Sequence, residues 1–159
     1  LDEANTELRE LITYFRLPVD ASGVVSAIEK AVSRFRLTSP IDAVLQNHWP
    51  TVNLPVEHER QVLRIVQEGL ANVRKHSGAD MVRILLNQAH DARRVLIEDD
   101  GVGMSLASAE MDNHFGLSIM QERADSIGAT LQLESEPGDG TRIMLTLPIM
   151  QDQVLGDSV

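Results

Sequence analysis

The sequence predicts an α+β fold: a two-layer sandwich in which helices cover one face of a mixed sheet. Three observations carry this. Segments of helical periodicity and of apolar alternation follow one another as helix, strand, long helix, two strands, loop, helix, two strands. Helices are therefore not interleaved one for one with strands, as a doubly wound fold requires. Both late strand pairs have short connections, Ala89-His90-Asp91-Ala92 and Pro137-Gly138-Asp139-Gly140, and short connections join antiparallel neighbours. Finally, 43% of the 159 residues are apolar but only 3% are aromatic, so one ordinary domain with an aliphatic core is expected, plus an appendage.

The appendage comes first. Leu1, Ala4, Leu8, Leu11 and Phe15 keep a 3-4-3-4 spacing, the seam of a coiled coil or bundle. No Ser, Thr, Asp or Asn cap precedes Leu1, so the helix is expected to begin upstream. Residues 1–17 read as the end of a dimerisation stem; the alternative is a short helix packed on its own domain. Leu17-Pro18 breaks it. A domain over residues 18–150 follows, and residues 151–159 read as a disordered tail.

Within the domain, Ser22 is a candidate cap for a helix over residues 24–36, with Val24, Ile28, Ala31, Val32 and Phe35 on one face. Thr38-Ser39-Pro40 ends it, Ile41 to Gln46 reads as a strand, and Asn47-His48-Trp49-Pro50 as a turn. Pro55 suits the start of the long helix, where its missing N–H costs little. Val62, Val66, Leu70 and Val73 give that helix a buried stripe, and Ser77-Gly78 closes it after about His76. Strands are expected over Met81 to Gln88 and Arg93 to Asp99, where apolar residues alternate. Residues 104–115 are polar and weakly patterned. Leu117 to Ile127 reads as a helix ended by Gly128, and Thr130 to Glu134 and Arg142 to Leu147 as the last two strands.

The formal net charge is −10. Nucleic acid and anionic membranes are poor partners for so acidic a chain. A nucleotide is not excluded if Mg²⁺ and a few local cations offset its phosphates. The absence of cysteine excludes disulfides, thiolate catalysis and Cys-based zinc sites. No apolar run approaches the roughly 20 residues of a membrane span, and no signal peptide is visible, although a longer parent protein could carry spans elsewhere.

The chemistry gathers on the second half of the long helix. At about 100° per residue, Glu68, Asn72, Lys75 and His76 share one face. Taken alone, this is the solvated side of an amphipathic helix. Yet Glu68 and Asn72 are oxygen donors of the kind a hard cation takes, and Lys75 offers phosphate a compact positive charge. Familiar motifs are missing. There is no G-x-x-x-x-G-K-[ST], and Leu106 stands where a third Rossmann glycine would follow Gly101 and Gly103. Leu96 and Glu98 break an EF-hand reading ahead of Gly101. His58-Glu59 lacks its second histidine, because Val62 takes that place. Asp99-Asp100-Gly101 is by itself a turn signal.

Together, four segments resemble the ATP-binding domain of sensor histidine kinases. Gln67-Glu68-x-x-x-Asn72-x-x-Lys75-His76-Ser77 is similar to its N-box and Asp99-Asp100-Gly101-Val102-Gly103-Met104 to its G1 box. His114-Phe115-Gly116-Leu117, with Met120, Glu122-Arg123-Ala124 and Gly128, is similar to G2. Pro137-Gly138-Asp139-Gly140-Thr141, with Leu147-Pro148, is similar to G3. The order is the family's, and the span covers about residues 55–148. The short G1-to-G2 loop, the Glu-Arg-Ala triplet, Asn113-His114-Phe115-Gly116 and the Lys-His-Ser helix end resemble the subfamily that includes the nitrate/nitrite sensor kinases. Leu1-Asp2-Glu3-Ala4-Asn5 resembles the end of their dimerisation helix.

The resemblance implies a Bergerat ATP-binding fold that uses ATP and Mg²⁺. Asp99 would accept a hydrogen bond from the adenine amino group. Gly101 and Gly103 would let backbone approach the base and ribose, and Thr141 would support Asp99 or a bridging water. Asn72 would hold Mg²⁺ through its amide oxygen, with Glu68 beside it. Lys75 and His76 would meet the phosphates, and His114, Gly116 and Leu117 would open the helix whose N–H groups face phosphate oxygens. Residues 104–115 would form a nucleotide-ordered lid. Glu68, Asn72 and Lys75 form the implied catalytic set; in related ATPases the carboxylate activates water, whereas here Glu68 would only position Mg²⁺ or its waters.

The implied activity is transfer of the ATP γ-phosphoryl group to a histidine on an upstream helical domain, then relay to a response-regulator aspartate. The intact protein would be a homodimer, cytosolic in this part and a membrane sensor as a whole, with no membrane contact by this segment. Two departures stand out. His114 occupies a position often held by glycine. The five histidines, His48, His58, His76, His90 and His114, all lie outside residues 1–16, so the acceptor histidine is missing. The alternatives are another Bergerat ATPase, an anti-sigma-type serine kinase, or a non-catalytic nucleotide-binding module.

Overall fold

The computed structural model describes residues 23–104 and 114–149. The expected stem, most of the expected lid and the expected tail lie outside these residues. Helix α1 spans Val24–Thr38 and buries Val24, Ala27, Ile28, Ala31, Val32 and Phe35. Its N-cap position is Gly23, with no side-chain cap bond, rather than Ser22. At its far end Arg36 Nε donates to Ala43 O at 2.8 Å, fixing the helix to strand β1, Asp42–Asn47.

Helix α2, Val56–Asn72, begins directly after Pro55. Val62, Ile65 and Val66 on its inner face have no exposure at all. Burying each such side chain stabilises the fold by about 1.5–3 kcal/mol. The expected helix to His76 is not α-helical throughout: Val73–Ser77 forms a π-helical turn, and Gly78 closes it in the left-handed conformation at φ 58°. The widened turn accommodates Ser77, whose Oγ donates to Val73 O at 2.5 Å and accepts from Ala79 N at 3.0 Å. A side chain competing for the helical carbonyls and their N–H partners is what loosens a helix end.

Strands β2 (Met81–Ala89) and β3 (Ala92–Asp99) form a hairpin through His90 and Asp91. Helix α3, His114–Ser126, precedes β4 (Thr130–Ser135) and β5 (Thr141–Pro148). The sheet order is β1-β2-β3-β5-β4. Only β1 and β2 pair in parallel, because a whole helix separates them; the remaining pairs are antiparallel, which makes the sheet mixed as expected. Each observed strand is within about one residue of its expected bounds at either end, ordinary scatter for element boundaries.

The strict period of strands sorts the two faces. Val82, Ile84, Leu86, Val95, Ile97, Ile143, Leu145 and Leu147 are buried against the helices. The opposite face carries a row in register across four strands, Arg83, Glu98, Arg142 and Glu134. Glu98 pairs with Arg83 and, at 3.2 Å, with Arg142. Met120 and Ala124 of α3 are fully buried, and Arg123 Nη1 donates to Gln61 Oε1 at 3.2 Å, tying α3 to α2. Trp49, the single tryptophan, is buried and donates Nε1–H to Asn87 O at 2.7 Å.

Candidate nucleotide-binding site

The carboxyl end of β3 and the carboxyl end of α2 meet at one cavity. Asp99 closes β3, and its Oδ1 accepts the Gly101 N–H at 2.8 Å. It lies opposite Thr141, the first residue of β5. Burial pushes the Asp99 carboxyl above the ordinary aspartate value; the N–H groups of Gly101 and Thr141 oppose that rise, and the neighbouring Asp100 charge adds to it. A partly buried carboxylate beside an apolar floor is thus held where a ligand's donor can reach it.

The cavity opens to solvent at its mouth. Its floor is Gly69 of α2 and Val73 of the π-helical turn with Ile97, Leu133 and Ile143 of the sheet. Its polar rim is Asn72, His76, Ser77, Asp99 and Thr141, with Gly103, Met104 and Leu117 completing the wall. The lining therefore combines an apolar floor with a few convergent polar groups, the usual make-up of a small-molecule site.

Gly101 allows the close approach of the two ends. A Cβ there would overlap Ser77 O and stand 2.8 Å from Asp99 Oδ1. Val102 N–H donates to Ser77 O at 2.8 Å, and Val102 O accepts the Gly138 N–H at 2.7 Å. Ser77 thereby binds the helix end, the loop after β3 and, through Val102, the β4–β5 turn. Gly103 adopts φ 65°, and a Cβ at that position would overlap Glu136 O. Asp100 points away from the cavity: its Oδ1 accepts Asp80 N at 3.0 Å and Met81 N at 2.9 Å, holding the start of β2.

Gly116, in the first turn of α3, lies over the polar face of α2. The point where its side chain would begin is 3.0 Å from Glu68 Oε1 and 3.4 Å from both amide atoms of Asn72. Two oxygen donors therefore converge beneath the N-terminus of a helix, whose free N–H groups favour anions. Among the described residues no group of three or more His, Cys, Asp or Glu is placed to hold a metal ion. A metal held here would need its remaining ligands from a bound molecule and water. That fits Mg²⁺, which keeps waters and shares phosphate oxygens.

Of the sequence-predicted residues, Asn72, His76, Asp99, Gly103, Leu117 and Thr141 line the cavity. Glu68 and Gly116 adjoin it through Asn72. Gly101 packs between Ser77 and Asp99. Lys75 is exposed on the π-helical turn beside His76 without being part of the lining. His114 is the first residue of α3, and its side chain lies outside the described positions. Sequence reasoning missed Ser77 as a connecting residue, reading it as a helix end, and missed Ser135, which carries no local signal.

A strand-end carboxylate, an amide-bearing helix and a glycine-opened helix start thus meet around one cavity. The chain belongs to the family described as histidine kinase-, DNA gyrase B-, and HSP90-like ATPases, whose model matches residues 57–151. It is 31% identical over 147 residues to the nitrate/nitrite sensor protein NarQ of Escherichia coli, covering 92% of this chain and 26% of that protein. It is 30% identical over 152 residues to the sensor histidine kinase LiaS of Bacillus subtilis, covering 95% of this chain and 41% of LiaS. The fold is shared with the histidine kinase domain of the blue-light-activated kinase of Erythrobacter litoralis, at a TM-score of 0.69 and 23% identity, over 79% of this chain and 61% of that one. The chain thus spans about a quarter to two fifths of the length of these sensor relatives.

Proposed function

We propose that this chain is the catalytic ATP-binding domain of a two-component sensor histidine kinase. The observation that supports it best is the gathering of Asn72, His76, Asp99, Gly103, Leu117 and Thr141 around one cavity, with Gly116 against Glu68 and Asn72. The adenine lies on the apolar floor with its amino group on Asp99. The phosphates run toward His76, Lys75 and the start of α3. The Asn72 amide oxygen would hold Mg²⁺, with Glu68 positioning the ion or its waters, and the ion would supply charge neutralisation to the phosphates. Positioning and neutralisation are the main contributions a protein makes to phosphoryl transfer.

In the intact dimer the γ-phosphoryl group passes to a histidine on the upstream helical domain and on to a response regulator. Among the described residues no helix is long and apolar enough to cross a membrane; the domain acts as the cytosolic part of a sensor whose remainder lies beyond this chain. Titration calorimetry tests the assignment. ATP with Mg²⁺ should bind in the micromolar range or more weakly, and unchanged binding by Asp99→Asn would overturn the adenine assignment. Because none of the five histidines lies in residues 1–16, the chain alone should incorporate no acid-labile phosphate from labelled ATP.

A further inference from the structure

Ser135, the last residue of β4, makes three hydrogen bonds with a single hydroxyl. Its Oγ accepts the Met104 N–H at 2.8 Å, donates to Gly140 O at 2.9 Å, and lies 2.9 Å from Thr141 Oγ1. A serine hydroxyl has one proton and two lone pairs. Gly140 O is a carbonyl and Met104 N–H a donor, so the proton must go to Gly140 and one lone pair to Met104. The Thr141 contact is then satisfied in only one way: Thr141 donates its proton to the second lone pair. The opposite assignment would leave Ser135 and Gly140 with two oxygens 2.9 Å apart and no proton between them. Thr141 has no other hydroxyl proton, so toward the cavity it can present lone pairs only. Asp99, across the ladder from it, also presents only lone pairs when ionised.

We propose, on the nucleotide reading above, that Ser135 is a positioning residue for base specificity: by holding the Thr141 proton it makes the Asp99–Thr141 edge of the base slot acceptor-only. Such an arrangement takes a base that carries an exocyclic amino donor. It disfavours a 6-oxo base placed on that edge, whose carbonyl would face the Asp99 carboxylate and a Thr141 hydroxyl that cannot turn its proton toward it, and unmatched buried polar groups discriminate strongly. Ser135 does this without touching the base.

The test measures dissociation constants of ATP and inosine triphosphate, each with Mg²⁺, for the 159-residue chain and its variants. Ser135→Ala frees the Thr141 hydroxyl to donate to a 6-oxo group. The preference for ATP over inosine triphosphate should fall by roughly fivefold or more, the scale of one mismatched polar contact. Ser135→Thr keeps the hydroxyl and should restore the preference. In a Thr141→Val background, Ser135→Ala should not change the ratio further. A purely structural serine would weaken both nucleotides alike; an unchanged ratio in Ser135→Ala would overturn the proposal while leaving ATP binding intact. If Ser135→Ala does not fold, the Thr141→Val ratio decides, since an unaltered preference there removes the hydroxyl from base selection. Failure of the unsubstituted chain to bind either nucleotide would overturn the nucleotide reading and this proposal together.

Discussion

The first side-chain atom that Gly116 could carry would stand 3.0 Å from Glu68 Oε1. This spacing joins the start of α3 to the polar face of α2 and sets how closely the helix N-terminus approaches Asn72. Gly116→Ala should therefore separate stability from function. Alanine favours a helix by about 1 kcal/mol over glycine, so the melting temperature should hold or rise. Displacement of Glu68 and Asn72 should weaken Mg²⁺-dependent ATP binding by about tenfold, a cost of roughly 1.4 kcal/mol. Calorimetry alongside thermal melts checks both signs.

Asp99 should show the same separation, for an electrostatic reason. Its folded-state value is raised by burial, so the folded protein holds the proton up to a higher pH than the unfolded chain. Stability attributable to this group therefore falls as pH rises from the ordinary aspartate value through the raised one, and stays lower above it. Asp99→Asn keeps an oxygen to accept the Gly101 N–H but removes the buried charge. Its melting temperature at neutral pH should equal or exceed the parent's, and its stability should lose that pH dependence. ATP affinity should fall by roughly ten- to a hundredfold, the worth of a hydrogen bond to a charged acceptor.

Gly101 supports the junction itself. Gly101→Ala drives a methyl group into the backbone oxygen Ser77 O, and presses it against Asp99 Oδ1 and Ser77 Cβ as well. A loss of about 1–3 kcal/mol is expected for such overpacking. Trp49 is buried, remote from the cavity lining, and gives a fluorescence signal for unfolding that nucleotide should not quench directly. Denaturant titrations followed at Trp49 measure the loss.

Asn72 separates metal from base. Asn72→Ala should reduce ATP affinity in Mg²⁺ by about tenfold, equivalent to one charge-assisted contact, while leaving adenosine affinity unchanged. Chelation of Mg²⁺ should bring the parent protein down to the affinity of the variant. An Asn72→Ala protein that still responds fully to Mg²⁺ would remove Asn72 from the metal.

Sheet faces, helix stripes and chain order were legible because each rests on short-range periodicity. The alternation of Val82, Ile84 and Leu86 and the stripe of Val62, Val66, Leu70 and Val73 both bury as their spacing requires. The helix caps were less legible. Ser22 is a preferred cap residue, yet the cap position falls on Gly23, because position in the chain outweighs propensity by small margins. The π-helical turn at Val73–Ser77 carries no periodic signal, since it follows from where Ser77 must sit against the loop after β3.

By itself the sequence determined the class of fold, the four segments that carry the resemblance and the residue types available for base, phosphate and cation. These are local properties: periodicity, turn chemistry and spacing along one helix. Only the tertiary structure decided how the pieces meet. Register across β3, β5 and β4 puts Asp99, Thr141 and Ser135 side by side, and the approach of α3 to α2 puts Gly116 over Glu68 and Asn72. The direction of the Thr141 proton follows from three partners, Met104, Gly140 and Ser135. Met104 is separated from Ser135 by 31 positions in the chain, and no pattern in sequence records a hydrogen-bond donor shared across that distance.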